Sequence, residues 1–421
     1  MDHRSAFQPY RTHHPKDPLM QRVSLFGYGK TTQAIAKHLC AKTTTFYDDK
    51  VTKPFKDERG FWIKSSSEFD PRYSDLEIPS PGIAPSNPLI LKAQNLQSEY
   101  DYFAATMPSS VWISGTNGKT TTTQMMQHLL SDKGALFGGN IGTPLAELTS
   151  QAPLWILETS SFTMHYTNEA SPNIYVLLPL SPDHISWHGS MDEYVKAKLK
   201  PLSTMKEGEI AIIPEAYKET PSDAFIITYK DEEDLAKYFG IDKEKVSFKG
   251  AFLLDALLAM AIDKILFDRI DYEKMNRFIL DPHRQEELRD THNRLWVNDT
   301  KATNLDATIA ALKRYSNSYI RIILGGDDKG VDLEELFIFM QAMKLKIYTI
   351  GSNQERLSTL AQKYKIEYQM CEELINAVNA IDAQMDASDV ALLSPAAASL
   401  DQFTSYAQRG DIFKEAVGSI S

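Results

Sequence analysis

The stretch Gly115-Thr116-Asn117-Gly118-Lys119-Thr120-Thr121-Thr122 can hold a phosphate. A glycine-bearing loop turns successive backbone N–H groups toward one anion. Lys119 then reaches the β- and γ-phosphates, and the Thr120 hydroxyl can serve Mg²⁺. The spacing is shorter than the usual G-x-x-x-x-G-K-[ST], because Ser114, Gly115, Thr116 and Asn117 precede Gly118. Further acids and histidines follow. Glu158 closes an apolar run and begins Glu158-Thr-Ser-Ser-Phe162, where an acid can bind Mg²⁺ directly or through water. Its alternative is a helix start capped by Thr159 or Ser160. Asp183-His184 ends another apolar run, with His188 four residues on, and a metal or an acid–base role is open to the pair. Helical spacing puts His184 and His188 on one face. Lys198 sits in a lysine-dense helical stretch, either solvated or carrying CO₂ as a carbamate that would act as a metal ligand.

These groups need rigid elements to aim them. Val111–Ser114 reads as a strand and Gln124–Leu130 as a helix, so the loop sits between strand and helix. Upstream, Arg22–Phe26, the turn Gly27-Tyr28-Gly29, the helical run Ala34–Leu39 and the strand Thr45–Tyr47 ending at Asp48 outline a nucleotide-binding βαβ unit. Only the first two glycines of G-x-G-x-x-G are present. Ser80-Pro-Gly82-Ile83 is a turn at a strand end. Beyond Asp281-Pro282 a third βα alternation runs to the end, and three of its strand ends are polar: Asn298–Asn304, Gly325–Lys329 and Ser394–Phe403. The alternation predicts an α/β fold of parallel sheets in three successive units. The expected bounds are 1–20 as a disordered extension, then 21–107, 108–281 and 282–421.

Composition narrows the function. The 421 residues carry a net charge of −11 without a long basic block, which argues against nucleic acid. The two cysteines, Cys40 and Cys371, are far apart and lack metal-ligand spacing. The first residues are polar and unlike a signal peptide, and the most apolar segment, Ala251–Leu266, is broken by Asp255 and Asp263. A cytoplasmic protein without membrane contact is expected.

In order along the chain, Gly115–Thr122, Gly138-Gly-Asn140-Ile-Gly-Thr-Pro144, Glu158–Phe162, Asp183-His184, Lys198, His283-Arg284, Asn298–Asn304, Gly325–Lys329 and Ser394–Phe403 resemble the Mur ligases, the ATP-dependent amide-forming enzymes of peptidoglycan synthesis. The resemblance covers about Val23 to Phe413 and implies three domains, a Rossmann-like first, a P-loop ATPase-like second and a Rossmann-like third. It is strongest to the branch that adds D-glutamate to UDP-N-acetylmuramoyl-L-alanine through an acyl phosphate. The resemblance implies a role in cell-wall assembly, and hence in cell shape and division, for a monomer using ATP and Mg²⁺. It implies that Gly27, Asp48, Ser80, Gly82 and Asn140 bind the UDP-sugar. Gly115 to Thr121 with Arg284 and Asp299 would bind ATP. Thr120, Glu158, His184 and a carbamylated Lys198 would serve metal, with Lys119, His184 and Lys198 catalytic. Thr303, Lys329, Ser399, Leu400 and Tyr406 would surround D-glutamate. The chain departs from the family at Thr163, at Pro179, and at Gly250-Ala-Phe-Leu253, where Gly-x-His-Asn is usual and Asp255 lies near the expected Asn.

Overall fold

A computed structural model describes residues 22–39, 41, 43–328 and 330–420. The predicted extension 1–20, Cys40 and Lys329 lie outside the described residues. The chain divides into two compact units, one from Met1–Phe248 and Phe252–Phe278, the other from Lys249–Ala251 and Ile279–Ser421.

The first unit carries two sheets. In chain order the first holds β1 (Arg22–Phe26), β2 (Thr43–Asp48), β3 (Phe55–Lys56), β4 (Trp62–Ser65) and β5 (Leu76–Pro79), in the spatial order β3-β4-β2-β1-β5. All neighbours are parallel except the short edge strand β3, which runs antiparallel to β4. β1 lies between β2 and β5, so the strand order reverses there, and ligands of open α/β sheets bind at such a point. The second sheet holds β6 (Ser110–Ser114), β7 (Leu136–Gly139), β8 (Trp155–Glu158), β9 (Ile174–Leu177), β10 (Ile210–Pro214) and β11 (Phe225–Tyr229). Its order is β11-β10-β9-β6-β8-β7, parallel throughout. β6, β8 and β9 are buried along their whole lengths, as sheets covered by helices on both faces require. The apolar segment forms a buried helix, Ala251–Phe267, and its two acids are paired: Asp255 accepts from Thr122 Oγ1 at 2.9 Å, and Asp263 accepts from Arg269.

The second unit is one sheet of β12 (Glu286–Arg289), β13 (Leu295–Asn298), β14 (Ile320–Gly325), β15 (Leu345–Ile350), β16 (Glu367–Glu372) and β17 (Val390–Leu393). The order is β12-β13-β17-β14-β15-β16, with only β12 antiparallel. The adjacent strands β13, β17 and β14 end at the three polar segments read from the sequence. Cys371 belongs to β16, and the helix that follows begins at Leu374.

Candidate active site

The phosphate loop begins where β6 ends and stops at the first residue of the helix Lys119–Leu130. Gly118 has φ +81°, and a Cβ there would fall 2.4 Å from Asp255 Oδ1, so only glycine lets the loop close against that buried acid. Thr116 fixes the other end: its N–H donates to Pro179 O, and its hydroxyl pairs with Tyr194 OH at 2.8 Å. Lys119 Nζ donates to the carbonyls of Gly115 and Thr116 at 3.0 and 2.7 Å, which holds the ammonium across the loop.

The Glu158 carboxylate is buried at the end of β8. It accepts from Thr120 Oγ1 at 2.9 Å on one oxygen and from Asn140 Nδ2 at 2.7 Å on the other. One acid therefore joins the phosphate loop to the Gly138–Pro144 segment. Among the described residues no three His, Cys, Asp or Glu side chains converge as a metal cage. A single carboxylate beside a P-loop threonine still suits Mg²⁺, which keeps several waters and takes phosphate oxygens as ligands.

Lys198 is buried on the helix Met191–Thr204, with Nζ donating to Ser114 Oγ at 3.2 Å and lying over the Tyr194 ring. It has no ion pair among the described residues. Burial pushes its ammonium well below the usual lysine range, Lys119 pushes the same way, and Asp183 and Glu158 oppose them. His184 is about half exposed, with Nε2 3.5 Å from Asp183 Oδ2 and its ring 4.6 Å from that of Phe162. His184 has φ +53° and caps a single turn, Ile185–His188, in which His188 N donates to His184 O at 3.1 Å, and both rings pack against Phe162, at 4.6 and 5.8 Å. His188 is buried instead, with Nε2 2.9 Å from Ser161 Oγ, and burial pushes its pKa down to about 4.

At the first sheet's reversal point, Gly27 has φ +82°, and a Cβ there would approach Ser80 Cβ to 3.2 Å. Asp48 is tied to this turn: Tyr28 N donates to Oδ2 at 2.7 Å and Lys50 N to Oδ1 at 2.8 Å. Ser80 N donates to Phe26 O, and Ile83 N closes the turn onto Ser80 O. Gly27, Asp48, Ser80 and Gly82 thus share one neighbourhood, while Asn140 bonds to Glu158.

In the second unit Asp299 is buried, accepting from Ser394 Oγ at 2.8 Å and Gln285 N at 3.2 Å. Burial raises its carboxyl to about 7, with Arg284 among the groups that oppose the rise. Ser399 is buried, whereas Leu400 and Thr303 are exposed and Tyr406 lies over Lys301 Nζ at 5.6 Å.

The Mur ligase middle-domain family model matches residues 113–256. The chain is 57% identical over 401 residues to the UDP-N-acetylmuramoylalanine–D-glutamate ligase of Campylobacter jejuni serotype O:6, covering 95% of this chain and 100% of that protein. The chain belongs to this Mur ligase family. The enzyme of the same name from Helicobacter pylori strain 26695 is 45% identical over 416 residues, covering 93% of this chain and 98% of that protein. The fold agrees. The MurF ligase of Thermotoga maritima, solved with ADP, superposes with a TM-score of 0.55 at 17% identity, over 96% of this chain and 98% of that one.

Some of the machinery around the family's motifs had no local sequence signal. Tyr194 reaches Thr116 from 78 residues away, and only folding reveals that contact. Arg409, fully buried, donates to Thr300 Oγ1 and to the carbonyls of Thr300 and Ala397, tying the ends of β13 and β17 together. Its signal was available: Arg409, Phe413 and Val417 recur every four residues on the buried face of the helix Tyr406–Gly418.

Proposed function

We propose that this protein spends ATP to join D-glutamate to the L-alanine carboxylate of UDP-N-acetylmuramoyl-L-alanine, a step of peptidoglycan precursor synthesis. The observation that carries the reading is the Thr120–Glu158–Asn140 cluster on a P-loop, in a chain of this family. Residues 21–107 would hold the UDP-sugar, 108–281 the nucleotide, and 282–421 the amino acid. The protein would act as a cytoplasmic monomer, and no helix among the described residues is long and apolar enough to cross a membrane.

A carboxylate resists amines because oxide is a poor leaving group. Phosphorylation by ATP gives an acyl phosphate, the amine adds to its carbonyl, and the tetrahedral adduct expels phosphate. Gly115 to Thr121 would cradle the triphosphate through backbone amides, and Lys119 would swing from its loop carbonyls to the γ-phosphate. Mg²⁺, when bound, neutralises charge on the transferring phosphoryl group, and Thr120, Glu158 and His184 would hold it. Lys198 would join them as a carbamate: a buried amine without a carboxylate partner is best placed in its neutral form, the form that adds CO₂. By the family resemblance Arg284 and Asp299 would also serve ATP. Gly27, Asp48, Ser80 and Gly82 would bind the UDP-sugar, with Asn140 near its diphosphate. Thr303, Lys329, Ser399, Leu400 and Tyr406 would surround D-glutamate, the ammonium of Lys329 pairing with a substrate carboxylate that a neutral amino acid lacks.

The test is ADP formation with UDP-N-acetylmuramoyl-L-alanine present, with and without D-glutamate. Turnover that requires D-glutamate and is not supported by D-alanine or diaminopimelate is expected. Equal ADP release with every amino acid would end the reading.

A further inference from the structure

Two side chains of the second sheet's helices reach the Ser80–Ile83 turn of the first sheet. Trp187 Nε1 donates to Gly82 O at 3.2 Å, and Tyr166 OH donates to Ile83 O at 2.6 Å. Both belong to a ring cluster that continues toward the phosphate loop. Phe162, four residues beyond Glu158, lies 4.6 Å from Trp187 and 4.6 Å from His184, and Tyr166 meets Trp187 edge-on at 6.0 Å. The turn itself has few other restraints. Gly82 is exposed, and a Cβ there would meet nothing within 4 Å. Ser80 N anchors its start to Phe26 O at 2.8 Å, Ile83 N closes it onto Ser80 O at 3.0 Å, Ile83 packs against the cluster around Phe26, and the two carbonyls are held from outside.

We propose that Trp187 and Tyr166 are positioning residues that hold the Ser80–Ile83 turn in its ligand-binding shape. This rests on the functional reading above, in which that turn contacts the UDP-sugar. The Gly82 carbonyl shares its peptide plane with Ile83 N–H, which closes the turn onto Ser80 O, and the Ile83 carbonyl shares its plane with Ala84 N–H, so the two donors fix the turn's closing bond and the direction of the next amide, and with them the shape the turn offers an anionic diphosphate. Neither side chain bonds to Lys119, Thr120 or Glu158. Their loss therefore weakens binding of one substrate and leaves the phosphoryl transfer machinery in place.

The experiment uses Tyr166→Phe, which keeps the ring and deletes one donor, and Trp187→Phe, which keeps an aromatic side chain but removes the indole N–H together with part of the ring. Steady-state constants are measured for UDP-N-acetylmuramoyl-L-alanine, ATP and D-glutamate in the full-length protein. Losing a neutral hydrogen bond is expected to raise KM for the UDP substrate by about 3- to 10-fold per variant. The KM values for ATP and D-glutamate should stay within about twofold, since no nucleotide contact is lost. Equal rises in all three constants, or none, would overturn the proposal. Separately, tryptophan emission is titrated with UDP alone. Wild type should respond, Tyr166→Phe should need more UDP, and Trp187→Phe should lose the response. If wild type forms no D-glutamate adduct the functional reading fails, and the titration still decides the role of the two donors: a response unchanged in both variants would sink it.

Discussion

Glu99 opens the helix Glu99–Phe103 and is buried inside the first unit. Among the described residues its carboxylate has one hydrogen bond, Oε1 accepting from Ala146 N at 3.1 Å. That donor does not compensate for lost water, and burial pushes the carboxyl from its ordinary 4.5 up to about 7. The native state therefore binds a proton between about pH 4.5 and 7 that the unfolded chain has released. Stability contributed by protonated Glu99 is complete below 4.5 and is lost as pH rises through 7. At 1.36 kcal/mol per pKa unit, the gap is worth about 3 kcal/mol. Glu99→Gln keeps an acceptor for Ala146 N and cannot ionise. Relative to wild type it should gain about 3 kcal/mol between pH 4.5 and 8, or roughly 6–12 °C in the melting of this unit. The assay is thermal unfolding across that range, following Trp112 and Trp155, which are buried in the same unit. Separate transitions for the two units must be fitted separately. If the variant and wild-type curves stay parallel from pH 4.5 to 8, Glu99 is not a destabilising buried anion and the argument is wrong.

Lys119→Ala should abolish ADP formation while leaving the melting temperature within a few degrees, and retained turnover would remove Lys119 from the reaction. Gly118→Ala forces a Cβ to 2.4 Å from Asp255 Oδ1 at φ +81°. It should cost about 1–3 kcal/mol of stability and raise the KM for ATP, and a variant with both unchanged would refute the close packing of loop and acid. Lys329→Ala should raise the KM for D-glutamate at least about tenfold more than that for ATP, as loss of a charged partner predicts, and equal effects would contradict its placement.

The parts legible in the sequence are those whose chemistry is local. The phosphate loop, Glu158 and the polar ends of β13, β14 and β17 each lie within one strand–turn–helix passage, so apolar runs and turn residues located them. The parallel sheets followed from the alternation of strands and helices. What stayed hidden came from elsewhere in the chain. Asp255 sits beneath Gly118 although 137 residues separate them, and its acid looked like a departure from a family motif rather than a floor for the loop. The His184–His188 spacing does bring both rings to Phe162, but over one turn only. A left-handed residue at His184 and the glycine Gly189, with φ +88°, confine that helix to one turn.

The incomplete glycine fingerprint of the first sheet shows how a departure can keep its physical purpose. The third glycine of G-x-G-x-x-G normally lets helix and strand pack closely. Here the position is Thr32, buried, with Oγ1 donating to Gly27 O at 2.7 Å and accepting from Gly29 N at 3.2 Å. The side chain thus bonds across the turn that the glycine would merely have permitted. Gly27 still cannot change, because its φ is positive and Ser80 lies against it. Gly29 has neither restraint, since a Cβ there would meet only Ser80 Oγ, at 3.9 Å. Substituting Thr32 by glycine would therefore restore the familiar pattern yet loosen the turn, by removing two hydrogen bonds and adding backbone freedom to the unfolded chain.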